Sequence, residues 1–259
     1  MISKELEYTL WEAVQLYKNS SFISDDPIQI PHLFNNPRDI ELAAFFTAII
    51  SWGQRKTIIN NAKQMMEIMD YSPYDFILNS SLSEQQSITQ FKHRTFNGED
   101  FMFLIIRLRK LLKQHHTLEN VFFNSIKKDS RILTVESALI NFRHLIFSDG
   151  ENRTTKHIAS PLKNSACKRL NMFLRWMVRK DEIDFGVWKA ISPSELLMPL
   201  DIHVINSTKK LSILPSLKSN WHGCNELTQL FKNINPEDPI IFDFALFGLG
   251  VEKQGYKGS

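Results

Sequence analysis

Apolar residues recur at helical spacing along almost the whole chain. Residues 3–19 read as an amphipathic helix. Asn36-Pro37-Arg38-Asp39 punctuates the next start, and the run IELAAFFTAII, Ile40 to Ile50, is apolar almost all round. A helix with no polar face belongs in an interior. It should break at Ser51-Trp52-Gly53. Residues 54–70 follow as a second helix with Ile58, Ala62, Met65 and Met69 on one face. The same periodicity predicts helices over 73–80, 83–91, 99–115, 117–127 and 132–146. A polar, basic loop runs from Ser148 to Pro161, and helical pattern resumes from Ala166 to Val178. A charged, proline-bearing segment, Arg179 to Pro199, separates it from a helix that Asp201 opens and that runs to about Leu211. The last helices are expected near 224–233 and 239–249. No strand alternation, internal repeat or low-complexity tract interrupts this pattern, so the expected class is all-α.

Composition narrows the setting. The 259 residues are 43% hydrophobic and 23% charged, the profile of a soluble globular protein with room for a sizeable core. The longest dominantly apolar run, Leu42 to Ile50, is far short of the roughly 20 residues that span a bilayer. The opening MISKELEYTLWEAV has no apolar signal core, so a cytoplasmic location without membrane association is expected. Two cysteines, Cys167 and Cys224, are too few for a disulfide framework or a four-cysteine metal or iron–sulfur site. No metal-ligand spacing or phosphate loop appears, and no cofactor is expected.

The net charge of +3 is uninformative, but its distribution is not. From Glu151 to Lys180 there are eight basic residues against one acid, a local excess of 8 − 1 = +7. Arg107 to Lys113, RLRKLLK, is a second basic stretch. Such density suggests a face for a polyanion, with a solvated helix face as the plain alternative.

Two segments could carry chemistry. In PLKNSACKRLNMFLRWMVR, Pro161 to Arg179, the residues Leu170, Phe173, Leu174, Met177 and Val178 share one side of a helix. Lys168, Arg175 and Arg179 share the other, at spacings of seven and four. A tight turn, Lys163-Asn164-Ser165-Ala166, precedes Lys168. Asn164 can take the left-handed conformation and Ser165 could cap. Free backbone N–H groups at that helix start would seat a phosphate. In MPLDIHVINSTKKL, Met198 to Leu211, Asp201 stands where a helix begins and has the plain role of an N-cap.

Together the two segments resemble the helix–hairpin–helix DNA glycosylases, which include endonuclease III and the 8-oxoguanine glycosylases. In that family a hairpin L-P-G-x-G-x-K ends on a catalytic lysine, and a later V-D-x-H-V segment carries a catalytic aspartate. LKNSACK, Leu162 to Lys168, is similar to the hairpin, and PLDIHV, Pro199 to Val204, to the aspartate segment. The resemblance implies Lys168 and Asp201 as the catalytic pair. AFFTAIISWGQRKTIINNA, Ala44 to Ala62, is similar to the family's buried helix ending in a serine–glutamine turn, and FDFALFGLG, Phe242 to Gly250, to its last helix. Both hairpin glycines are replaced, by Asn164 and Ala166. Lys168 and Asp201 are 201 − 168 = 33 residues apart, a spacing that looks more like the archaeal 8-oxoguanine branch.

The resemblance implies a monomeric, nucleoid-associated base-excision enzyme acting on double-stranded DNA. It would be a glycosylase and AP lyase that removes an oxidised base such as 8-oxoguanine through a lysine Schiff base. The alternative is a hairpin module that binds DNA without catalysis. A free lysine, with a pKa of about 10.4, is mostly protonated at pH 7, and burial, a helix start and neighbouring cations would favour the neutral amine. A carboxylate would take the proton and stabilise the developing sugar cation. Lys163, Asn164, Ser165, Ala166, Arg169 and Arg175 are the candidate DNA contacts. The flipped base needs a pocket with flat walls. Trp52, Gln54, Trp188 and His203 are the candidates for it, with Trp176, Trp221 and Phe185 behind them. Core packing is the plain role of each aromatic and of Cys167, and helix initiation that of Gln54. The chain should form a single two-lobed helical domain over 1–259. Lobe A would cover about 37–150 and lobe B about 1–36 plus 151–259, with the hairpin and Asp201 meeting at the cleft.

Overall fold

The computed structural model of the protein describes residues 2–128 and 133–252. Among the described residues it is helical apart from one hairpin of two-residue strands, β1 (Lys92–His93) and β2 (Phe96–Asn97), paired antiparallel with His93 opposite Phe96. The chain divides into two compact units, residues 23–160 and residues 1–22 with 161–259. A short helix, α2 (Ser21–Asp25), carries the chain from one to the other.

The middle unit is built around α3 (Pro37–Ile49). Asn36 caps it by accepting from the Arg38 N–H, Pro37 occupies the first turn, and ten consecutive residues from Ile40 to Ile49 are buried. Around it lie α4 (Arg55–Ile68), α5 (Pro73–Asn79), α6 (Gly98–His115), α7 (Leu118–Lys128) and α8 (Val135–Ile146). Phenylalanines fill the interior. Phe45 meets Phe142 edge-on at 5.5 Å, Phe46 meets Phe101 at 5.1 Å, and Phe122 stacks on Phe142 at 4.1 Å. Residues 84–90, expected as an α-helix, are 3-10 helix. The expected start of α8 at 132 lies outside the described residues.

Two segments assigned from sequence to the terminal lobe belong here. Residues 27–33 form 3-10 turns that bury Ile28 and Ile30 beside α3 and α4. Residues 153–157 are tied to α6 through Asp100, whose buried carboxylate accepts from Arg153 and from the Thr154 hydroxyl at 2.9 Å. These polar anchors are invisible to a reading of apolar periodicity.

The terminal unit joins α1 (Lys4–Tyr17) to α9 (Lys168–Val178), α10 (Ile202–Lys210), α11 (Trp221–Lys232) and α12 (Phe242–Glu252). Leu10 and Val14 of α1, Val204 of α10, Leu227 and Phe231 of α11, and Phe242 and Leu246 of α12 form one core. α12 lies so close to α1 that a Cβ at Gly248 would stand 2.2 Å from the Tyr17 ring. Only a glycine allows that approach.

Candidate functional site

The hairpin before Lys168 is a 3-10 turn, Pro161–Lys163, followed by two residues in the left-handed region, Asn164 (φ +50°) and Cys167 (φ +47°). Asn is one of the few residues besides glycine that routinely visits this region. Ser165 does not cap α9. Its hydroxyl accepts from the Cys167 N–H at 3.2 Å, and its backbone bridges Asn220. The turn is fastened to α11, since the Trp221 N–H donates to the Asn164 carbonyl at 3.3 Å and the Cys224 thiol to the Ala166 carbonyl at 3.4 Å. Burial pushes the Cys224 thiol up to about 12, so it is a packing group. No side chain caps α9 at its N-cap, Cys167.

Lys168 is the first residue of α9 and is half-buried, its Nζ 3.7 Å from the Met172 sulfur. Asp201 is the N-cap of α10, with extended backbone and Oδ1 accepting from the Val204 N–H at 2.9 Å. The predicted cap role is therefore real, and one carboxylate oxygen makes that bond. Both residues lie in the terminal unit.

Sequence reasoning missed the third charged group here, Asp243 in the first turn of α12. It is 7% exposed, and its Oδ2 accepts from Arg175 Nη1 at 2.5 Å. Burial lifts its carboxyl up to about 6. The charge on Asp201 pushes the same way, while Arg175 and Lys168 oppose the rise. Asp243 is held to α9 by its bond to Arg175, and α12, which carries it, packs along α10, the helix that Asp201 caps. The signal was present as a lone acid in FDFALFGLG, but it reads as ordinary first-turn decoration.

Arg175 departs from its expected role. It is 4% exposed, held between Asp243 and Asp184, whose Oδ1 is 3.3 Å from its Nε. A guanidinium committed to two internal carboxylates does not face a phosphate. Arg179 is likewise buried, bound to Asp184, to Asp181 at 3.0 Å and to Asp238 through paired bonds of 2.8–3.0 Å. The polar side of α9 is an internal ion-pair layer, because Asp184, Asp238 and Asp243 fold back over it.

The other candidates are placed as follows. Lys163 and Asn164 are exposed, Ser165 half-buried and Ala166 buried. Arg169 is half-buried, and desolvation brings its guanidinium down to about 10. Trp188 is 2% exposed and meets Phe173 edge-on at 5.1 Å. It is a core residue and offers no wall to a ligand. Trp176 is fully buried and Trp221 buried. His203 is half-buried against Phe247 at 5.5 Å, with its Nδ1 enclosed. Trp52 and Gln54 belong to the middle unit. Trp52 is half-exposed, stacked on His157 at 5.5 Å and edge-on to His93 at 4.8 Å. Gln54 is exposed at the start of α4. Among the described residues no group of three or more His, Cys, Asp or Glu side chains is arranged to hold a metal, and no helix is long and apolar enough to cross a membrane.

The model of the DUF2400 family, described as a protein of unknown function, matches residues 26–252. The chain belongs to that family. The matched stretch of this DUF2400 protein takes in the hairpin, Lys168, Asp201 and Asp243. No curated protein and no solved structure matches the chain.

Proposed function

We propose that this DUF2400 protein is a DNA-repair glycosylase with AP lyase activity, on the two-lobed helical fold of the helix–hairpin–helix superfamily. The reading rests on one observation. A lysine at the mouth of α9 follows a doubly left-handed hairpin, and an aspartate caps α10 in the same compact unit, whose core takes in Ala166 of the hairpin and the neighbours Leu200 and Val204 of that aspartate. A neutral Lys168 amine attacks C1′ of a flipped nucleotide, forming the C–N bond as the glycosidic bond breaks. The Asp201 carboxylate stabilises positive charge on the sugar and takes the proton that the amine sheds. The imine then permits β-elimination at the 3′ phosphate. The uncapped start of α9 seats a backbone phosphate, with Lys163 and Arg169 beside it. The preferred lesion is an oxidised purine, 8-oxoguanine for example.

The test is a panel of duplexes, each with one lesion. The reading expects strand cleavage at 8-oxoguanine in preference to thymine glycol. Cutting at thymine glycol alone reverses the substrate assignment. Duplex binding with no excision of any lesion leaves a DNA-binding hairpin module instead.

A further inference from the structure

Asn171 takes no part in the chemistry just described, yet it fastens the turn before Lys168. It is the fourth residue of α9 and 1% exposed, and its side chain reaches back five residues, where Nδ2 donates to the Ala166 carbonyl at 3.0 Å. Its backbone N–H donates to the Cys167 carbonyl at 2.9 Å. One residue thus holds the peptide groups on both sides of Cys167. Cys167 is the residue that needs holding. It is the N-cap of α9 and sits in the left-handed region, at φ +47° and ψ +34°, a conformation that strains a residue with an ordinary Cβ. No glycine occurs from Pro161 to Lys168, so the turn has no residue that takes positive φ without that strain.

Resting on the glycosylase reading, we propose that Asn171 is a positioning residue, which clamps Cys167 in its left-handed conformation and so fixes where Lys168 stands relative to the hairpin. The dihedrals of the residue before a helix set the angle between the incoming chain and the helix axis. A Cys167 that relaxed to negative φ would swing the 161–166 turn against α9. Lys168 is the first residue past that joint. An attacking amine has to meet C1′ at about 3–3.5 Å, so the joint must keep one angle while the hairpin holds the DNA.

The surrounding bonds support this assignment. α11 holds the outer part of the turn, through the Trp221 N–H on the Asn164 carbonyl at 3.3 Å and the Cys224 thiol on the Ala166 carbonyl at 3.4 Å. A thiol is a weak donor, so the amide of Asn171 is the stronger of the two groups on Ala166. The Asn171 Oδ1 is buried and has no hydrogen-bond partner among the described residues. An amide satisfied at one end only is a poorer core group than a leucine of about the same size. What the amide contributes at this position is therefore the bond to Ala166.

Asn171→Leu keeps the bulk and removes the donor, and Cys167→Gly removes the Cβ that makes the left-handed turn costly. Hydrogen exchange across residues 161–171, read by mass spectrometry, reports how often the turn opens. Single-turnover borohydride trapping on lesion duplex reports the placement of Lys168. One net hydrogen bond is worth up to about a factor of ten in an equilibrium or a rate. Asn171→Leu should therefore quicken exchange in this segment and slow trapping by about tenfold each, with exchange elsewhere unchanged. Adding Cys167→Gly should return both toward the wild-type values, while Cys167→Gly alone changes little because the turn is already closed. Asn171→Ala gives the same comparison if the leucine variant does not fold. Wild-type exchange in a folded Asn171→Leu overturns the inference. So does faster exchange that Cys167→Gly leaves unrepaired, since Asn171 would then act by packing alone. Trapping that stays at the wild-type rate while exchange quickens removes Asn171 from the placement of Lys168 and overturns it as well. Exchange that follows the prediction in a protein that is trapped on no lesion keeps Asn171 as the clamp of the turn and overturns the glycosylase reading.

Discussion

Asp201 caps α10 and is the carboxylate of the proposed mechanism, two roles that a pair of substitutions can separate. As the cap of α10 it accepts one bond, from the buried Val204 N–H at 2.9 Å. Asn reproduces that acceptor, so Asp201→Asn should change stability by only a few tenths of a kcal/mol, while Asp201→Ala should cost about 1 kcal/mol. For a protein of this size, 1 kcal/mol lowers Tm by about 2–4 °C. Chemistry divides differently. Both substitutions remove the carboxylate charge, and loss of an acid–base group typically costs on the order of 10²–10⁴ in rate. Thermal melting and single-turnover excision on lesion duplex, run on the same three proteins, give both numbers. Asp201→Asn should melt like the wild type and react like Asp201→Ala. If Asp201→Asn excises at the wild-type rate, the residue is a cap and nothing more, and the proposed mechanism fails.

Other consequences follow from the buried ion pairs. Arg179→Met leaves Asp181, Asp184 and Asp238 without their shared partner, and should cost about 3–5 kcal/mol in urea unfolding; a cost under 1 kcal/mol would mean that the layer is not a fixed network. Burial raises the Asp243 carboxyl from its ordinary 3.8 to about 6, so the folded state binds that proton more tightly than the unfolded chain does. The associated stability is complete below about pH 4 and is lost as pH rises through about 6, a change on the order of 3 kcal/mol. The difference in unfolding free energy between wild type and Asp243→Asn should therefore vary over that window, and a constant difference would contradict it. Because Arg175 and Arg179 are engaged internally and Lys168 reacts as the neutral amine, Lys163, Arg169 and Lys180 are the cations that residues 161–180 can offer DNA. Three phosphate contacts give a slope of about −2.7 for log K against log salt; a slope near zero would remove this stretch as the DNA face.

Helices with one dominant signal were legible in the sequence. α3 is apolar all round and its ten residues from Ile40 to Ile49 are buried, and α10 begins at Asp201, whose side chain caps it. Residues 84–90 have helical spacing but are 3-10 helix, a distinction that periodicity does not make. A hairpin of two-residue strands is too short to show alternation. In the candidate site, the left-handed Asn164 could be anticipated from its side chain, but the left-handed Cys167 could not. The largest departure is α9. Its spacing places Lys168, Arg175 and Arg179 on one side, and nothing local distinguishes a solvated side from one covered by carboxylates. The covering residues, Asp184, Asp238 and Asp243, lie up to 68 residues away in the chain. Asp243 went unread for the same reason, since its meaning depends on Arg175 being within reach.

The most direct test of the central assignment is covalent. Borohydride reduces a Schiff base between a lysine and the C1′ of the damaged nucleotide to a stable amine, so the enzyme is caught on its substrate. The account predicts that the wild-type protein is trapped on a duplex carrying 8-oxoguanine and that Lys168→Gln, folded and still able to bind DNA, is not. Trapping that survives Lys168→Gln and disappears in Lys163→Gln would move the nucleophile to the hairpin and contradict the assignment of Lys168.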